Sequence, residues 1–181
     1  MQLYGKTLGV IGAGPIAKRV ITLGKALGMH VISWTLHPSR TRARQLGSEF
    51  VDLNQLLQQS DVVSVNIALS NKTKGLIGRP ELELLKPTAI IINTARGDII
   101  DEKALVESLE GNLIAGAGLD VFSKEPLPAR HPFTRLDNVV LSPHTAALSP
   151  ETSLAGLTIA IDNIKKFLDG QATNAVLIGT R

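Results

Sequence analysis

Arg96, Glu125 and His144 are the residues of this 181-residue chain whose types could do chemistry together. A guanidinium can hold a carboxylate and polarise the ketone beside it. An imidazole with a pKa near neutrality can give or take a hydroxyl proton. A carboxylate next to that imidazole fixes its tautomer and favours the charged ring. Singly, each has an ordinary explanation: arginine before glycine is usually a loop charge, glutamate before proline usually faces solvent, and a lone histidine is usually structural. Position is what joins them. Thr94-Ala-Arg-Gly97 follows an apolar run at 89–93, Asp120-Val-Phe-Ser-Lys-Glu-Pro126 follows one at 113–119, and Ser142-Pro-His-Thr145 follows one at 138–141. As parallel strands, these runs would put all three clusters at carboxyl ends, where open α/β sheets bind ligands.

The frame for those clusters starts at Thr7-Leu-Gly-Val-Ile-Gly-Ala-Gly-Pro-Ile-Ala17. Its apolar run, 8–11, has the length of a buried strand. A glycine turn and an amphipathic segment at 15–27 follow. Gly12 permits the sharp turn, Gly14 lets the backbone approach a pyrophosphate, and Ala17 lets the helix pack closely on the sheet. That spacing matches the dinucleotide-binding pattern with Ala in its last place. Pro15 suits a first helical position. The helix N-terminus, which Pro15 opens without an N–H of its own and Ile16 continues, then offers free N–H groups and a positive dipole end to phosphates.

Further along, 30–34 reads as a second buried strand, 35–40 as a loop and 48–51 as a short third strand. Asp52 and Gln55 resemble a capping box opening a helix at 53–59. Strands are expected at 61–68, 89–93, 113–119 and 138–141, and a helix at 80–85 that Pro87 ends. Asp101 can cap a helix through Leu109, with Gly111 after it. Residues 123–132 carry three prolines and must be a loop. Ser149 caps the last helix and Pro150 takes its first turn. Leu154, Leu157, Ile161, Ile164 and Leu168 fall on one face of it, and Gly170 stops it. Strands alternating with helices at this density predict a doubly wound α/β parallel sheet, the Rossmann dinucleotide-binding fold.

Composition excludes several classes. Hydrophobic residues make up 44% of the chain, so it is not globally disordered. Aromatics are only 3%, which argues against a base-stacking surface for single-stranded nucleic acid. The net charge is +3, and only Arg40, Arg42 and Arg44 form a local basic run. The chain has no cysteine, which excludes disulfides and thiolate metal sites. No apolar run approaches membrane-spanning length, and a cytoplasmic protein with no metal, membrane or nucleic-acid partner is expected.

The motifs together resemble the D-isomer-specific 2-hydroxyacid dehydrogenases, which include phosphoglycerate, glycerate and glyoxylate/hydroxypyruvate reductases. The matching pieces are Gly5-Lys-Thr-Leu-Gly-Val-Ile-Gly-Ala-Gly14, Asn93-Thr-Ala-Arg-Gly97, Gly116-Ala-Gly-Leu-Asp-Val-Phe122, Glu125-Pro126 and Ser142-Pro-His144. The similarity runs over 4–170. It implies hydride transfer between a nicotinamide cofactor, NAD or NADP, and a D-2-hydroxy or 2-oxo acid. It implies that Arg96 binds the substrate carboxylate and carbonyl, that His144 is the general acid/base and that Glu125 is its partner. Asp120, the backbone of Thr94 and Ala95, Arg96 and His144 would then lie near the nicotinamide. Ala68, Leu69, Ser70 and Thr73 would line the cofactor groove.

Two departures from the family stand out. Members often have a ribose-binding Asp where this chain has Thr35, and no Asp or Glu occurs between Thr7 and Glu49. Thr35, His37, Ser39 and Arg40 sit there instead, able to accept a 2′-phosphate that an acid would repel, which tilts the expectation from NAD toward NADP. The plainer alternative has Thr35 on the ribose and the arginines in water. Members also carry a second lobe that closes over the substrate. The expectation is a dinucleotide domain over 1–170 and a tail, 171–181, leading toward that lobe. The chain by itself should bind dinucleotide and turn over substrate poorly. The related enzymes are commonly dimers, so a homodimer is expected. A dinucleotide-sensing, corepressor-like interaction module is the alternative of a different class.

Overall fold

In the computed structural model the described residues are 2–171, Thr173 and Asn174. Of the expected tail, 171–181, all but residues 171, 173 and 174 lie outside them. The strands are β1 (Thr7–Ile11), β2 (His30–Trp34), β3 (Glu49–Phe50), β4 (Val62–Val65), β5 (Ile90–Asn93), β6 (Gly116–Leu119) and β7 (Val139–Leu141). The helices are α1 (Pro15–Ala26), α2 (Arg40–Leu46), α3 (Leu53–Gln59), α4 (Arg79–Leu82), α5 (Glu102–Glu110) and α6 (Pro150–Leu168). Two short 3-10 turns, Gly97–Ile99 and Pro132–Arg135, join them. The strands form one sheet in the order β3-β2-β1-β4-β5-β6-β7 with every pairing parallel. This is the expected doubly wound architecture. Its strand order reverses direction between β1 and β4.

The chain divides into two compact units, Met1–His144 and Thr145–Arg181. All seven strands belong to the first. Within it, side-chain alternation along the strands feeds two apolar layers. Leu8, Val10 and Val62 join Ala17, Ile21 and Met29 in one layer. Ile11, Val63, Val65 and Ile91 join Leu56, Leu82, Leu105 and Leu109 in the other. Burying a side chain such as Ile21 or Ile91 fully stabilises the fold by about 1.5–3 kcal/mol. In the second unit α6 forms as expected, with Ser149 Oγ accepting from Thr152 N–H at 3.2 Å and Ser149 N–H donating to Thr152 Oγ1 at 2.9 Å. Its apolar side chains, Leu154, Leu157, Ile161 and Ile164 among them, are exposed.

The structure differs from the sequence expectation at particular places. The stretch after β2 is not a simple loop: Ser39 Oγ accepts from Arg42 N–H at 3.2 Å and starts α2, which ends at the left-handed Gly47. Asp52 occupies the N-cap position of α3 without a side-chain cap bond, so the Asp52–Gln55 capping box is not made. Strands β4 and β6 are shorter than 61–68 and 113–119, because residues 66–70 leave the ladder as loop after β4 and residues 113–115 are still in the turn before β6. Asp101 does cap α5, its Oδ1 accepting from Ala104 N–H at 3.0 Å.

Asp61 ties the amino-terminal edge of the sheet. Its Oδ2 accepts from Thr7 N–H at 2.8 Å, and its Oδ1 lies 3.1 Å from Lys86 Nζ and 3.9 Å from Lys6 Nζ. Burial alone would raise its pKa, but the Thr7 amide and the two ammonium groups outweigh that and hold it below the ordinary carboxyl value. Its contribution to stability is thus complete above the unfolded carboxyl's pKa and is lost as pH falls through the folded value. Asp61→Asn is expected to lower unfolding free energy by about 1–3 kcal/mol at neutral pH. The gap between variant and parent, measured by urea denaturation, is expected to close in acid.

Candidate functional site

The site begins where the chain leaves β1. Gly12 has φ +126°, and a Cβ built there would stand 2.3 Å from Asn66 O at the end of β4. Its N–H donates to Trp34 O at 2.8 Å. With β1 flanked by β2 and β4, the loops after β1 and β4 part here and leave a cavity of about 600 Å³ at the carboxyl edge. That volume lies within the range of small-molecule and cofactor pockets. Gly14, Pro15 and Ile16 border it at the start of α1, Thr35 and His37 follow β2, Ala68 and Leu69 follow β4, and Thr94, Ala95 and Arg96 follow β5. A Cβ at Gly14 would meet nothing within 4 Å, so bare backbone faces open space at the helix N-terminus. These residues fit a dinucleotide: the first turn of α1 offers unpaired N–H groups where a pyrophosphate needs them.

Several residues picked from the sequence stand apart from that lining. Gly12 does not border the cavity and does its work by letting the backbone after β1 pass close to the end of β4. Arg40, at the first position of α2, is exposed and does not border the cavity. Arg42 borders it instead, its Nη1 donating to His37 O at 2.6 Å. Ser39, expected near the ribose, is spent on the helix cap. Ser70 and Thr73 also lie off the lining. Thr73 is buried and braces the loop, its Oγ1 donating to Ala68 O at 2.7 Å and accepting from Ser70 N–H at 2.8 Å. Sequence reasoning missed Ala13, Leu36, Arg42, Val65, Asn66 and Ile67 in the lining. A signal for Arg42 was present: Ser39 before a run of good helix formers that Gly47 ends.

Asp120 and His144 belong to the neighbouring part of the same edge. Asp120 is buried at the end of β6, where its Oδ1 accepts from the Ser142 hydroxyl beyond β7. His144 Nδ1 and Glu125 Oε2 are 2.7 Å apart. Glu125 Oε1 also accepts from Phe122 N–H at 3.0 Å. Because a carboxylate only accepts, Nδ1 carries the proton and Nε2 is left to exchange one with a ligand. His144 sits at φ +56°, a backbone conformation unfavourable for a side chain of its size. The Glu125 carboxyl is held below the ordinary glutamate range, first by the His144 bond, then by the Phe122 amide and by the charges of His144 and Arg96.

Arg96 is what the two halves share. Its guanidinium lowers the Glu125 pKa, and its residue borders the large cavity. Gly97 makes this closeness possible, since a Cβ there would fall 2.0 Å from the Phe122 carbonyl carbon. A smaller apolar cavity of about 310 Å³ lies beside the pair, walled by Phe122, Pro126, Leu127, Leu141 and Pro143.

A parallel sheet whose switch point opens into a cavity of this size, floored by unhindered backbone at a helix start, defines a dinucleotide-binding domain of the doubly wound class. Residues 1–146 match the family described as D-isomer specific 2-hydroxyacid dehydrogenase, NAD binding domain, and the chain belongs to that family. It is 44% identical over 171 residues to a glyoxylate reductase of Aeropyrum pernix, a match that covers 94% of this chain and 51% of the relative. It is 43% identical over 178 residues to a D-3-phosphoglycerate dehydrogenase of Methanocaldococcus jannaschii, covering 98% of this chain and 34% of the relative. An acyclic imino acid reductase, solved in complex with NADPH and D-Arg, superposes with a TM-score of 0.85 at 34% identity, covering 98% of this chain and 55% of that one. The chain thus spans about half the length, or less, of the curated relatives it matches.

The Glu125–His144 bond has a direct signature. In a carbon-13 NMR titration, Glu125 is expected to titrate below the ordinary glutamate value, and His144→Ala is expected to move that midpoint upward. Since the folded pKa is depressed, the stabilisation from the pair is present above the ordinary glutamate pKa and fades as pH falls through the folded value.

Proposed function

We propose that this chain is the cofactor-binding half of an NAD(P)-dependent D-2-hydroxyacid dehydrogenase, with Arg96, Glu125 and His144 as its contribution to the chemistry. One observation carries the proposal: His144 Nδ1 and Glu125 Oε2 lie 2.7 Å apart at the same carboxyl edge of the sheet whose dinucleotide-sized cavity Arg96 borders. A cation, an acid/base and an orienting carboxylate therefore meet at the carboxyl edge of the sheet. When bound, the nicotinamide ring donates or accepts the hydride. Arg96 holds the substrate carboxylate and draws charge from the adjacent carbonyl. His144 Nε2 takes the hydroxyl proton during oxidation and returns it during reduction. Glu125 keeps that proton exchange on Nε2 and stabilises the imidazolium in between. Asp120, Ser70 and Thr73 shape the loops around the cofactor.

For the cofactor, NADP is the proposed preference. Arg42 and His37 border the end of the cavity after β2, where a 2′-phosphate would lie, and Thr35 stands there in place of an acid. For the substrate, the proposed class is a small D-2-hydroxy or 2-oxo acid. The side chains of His144 and Glu125 are 45% and 37% exposed, so water reaches the pair and this chain alone should turn over substrate poorly. The proposed setting is cytoplasmic and homodimeric, the exposed apolar side chains of α6 supporting a partner surface.

Calorimetric titration with NADH and NADPH tests the cofactor half directly. Both are expected to bind, NADPH more tightly. Gly14→Val is expected to weaken both by about ten-fold or more, equivalent to about 1.4 kcal/mol, by filling the open space at the helix start. Arg42→Ala is expected to weaken NADPH by about ten-fold while leaving NADH nearly unchanged. Failure of both dinucleotides to bind the parent chain would refute the assignment, and equal loss of both on Arg42→Ala would refute the NADP preference.

A further inference from the structure

Glu102 and His131 form a second histidine–carboxylate pair, and none of the chemistry above uses it. Glu102 is the first residue of α5, and its Oε1 lies 3.1 Å from His131 Nε2. Its Oε2 accepts from Ser123 N–H at 3.1 Å. Ser123 follows Phe122, whose own N–H donates to Glu125 Oε1. Two successive amides of one turn are therefore taken by two different carboxylates. One belongs to the catalytic pair, and the other is anchored on α5.

The anchor is well defined. His131 Nδ1 accepts from Phe133 N–H at 3.3 Å, so the proton lies on Nε2 and points to Glu102. The His131 ring lies 4.8 Å from that of Phe133, which is 2% exposed within the core. Glu102 and His131 are themselves only 24% and 16% exposed at the side chain. A continuous chain of contacts thus runs from core Phe133 through His131 and Glu102 to Ser123, and across one peptide unit to Glu125. A negative charge at the start of α5 would also favour the helix dipole, but that role needs neither Ser123 nor His131.

We infer that Glu102 and His131 are positioning residues, which hold the turn at 122–125 so that Glu125 meets His144. This deepens the function proposed above and rests on Glu125 orienting His144. A bond of 2.7 Å between two half-exposed side chains tolerates little displacement of the turn that bears one of them.

The sign of one shift tests this. Glu102→Gln keeps the shape of the side chain but turns an NH₂ toward either Ser123 N–H or His131 Nε2–H, breaking one of the two contacts. Loss of the Glu102 charge by itself would lower the pKa of a neighbouring carboxyl, whereas loss of the His144 bond raises it. In a carbon-13 titration of the full chain, the Glu125 midpoint is expected to rise toward the ordinary glutamate value of about 4.3 in Glu102→Gln. Asp61, at the opposite edge of the sheet, serves as an internal reference and is expected not to move. His131→Ala is expected to shift Glu125 in the same direction. A Glu125 midpoint that falls or stays put, or one that rises together with Asp61, overturns the inference. Dinucleotide titration of the parent chain reports separately on the cofactor site, so failure there leaves this result interpretable.

Discussion

A contact with no side chain in it governs the architecture. At Gly12 the backbone leaving β1 passes so near the Asn66 carbonyl at the end of β4 that a Cβ would stand 2.3 Å from its oxygen. The approach keeps β1 and β4 paired to their last residues, Ile11 with Val65. The divergence of the loops then starts at one point and not over several residues. Everything ligand-facing follows from that. α1 begins three residues beyond Gly12 with its N-terminus at the cavity, and the loops after β2, β4 and β5 supply the other walls. In a parallel sheet each successive strand end adds its loop to the same edge, which is how Arg96, Glu125 and His144 arrive together from positions far apart in sequence.

Two carboxylates show how position along the strands decides use. Asp61 precedes β4 and Glu125 follows β6, so they lie at opposite edges of the sheet. Each is held below the ordinary carboxyl pKa, but by different partners. Asp61 is buried against lysines and a main-chain amide, and its charge is consumed in tying strand to helix connection. Glu125 is half exposed and shares its charge with a histidine that still has a free ring nitrogen. The first arrangement stabilises, while the second leaves a proton in play.

Much of this was readable in the sequence, because the fold announces itself locally. The glycine spacing, the apolar runs and the caps at Asp101 and Ser149 each depend on residues within one turn of each other. The polar clusters could be placed at strand ends as soon as the strands were taken as parallel. What could not be read depends on contacts across the chain or on a side chain's competing local bond. Ser39 was available to a ligand by type, but it caps α2, and the resulting turn moves the cavity-lining role from Arg40 to Arg42. Thr73 looked equally ligand-like, yet it is buried beneath the loop it braces. The Glu102–His131 pair joins residues 29 apart with no recurring pattern between them, so only the folded chain reveals it.

The most direct measurement is a nitrogen-15 NMR titration of the chain with NADPH, following each assigned backbone amide. The account predicts that the amides of Gly14 and Ile16 shift most, with Ala68, Leu69, Ala95 and Arg96 moving alongside them. Shifts centred elsewhere, with Gly14 and Ile16 unmoved at saturation, would contradict it.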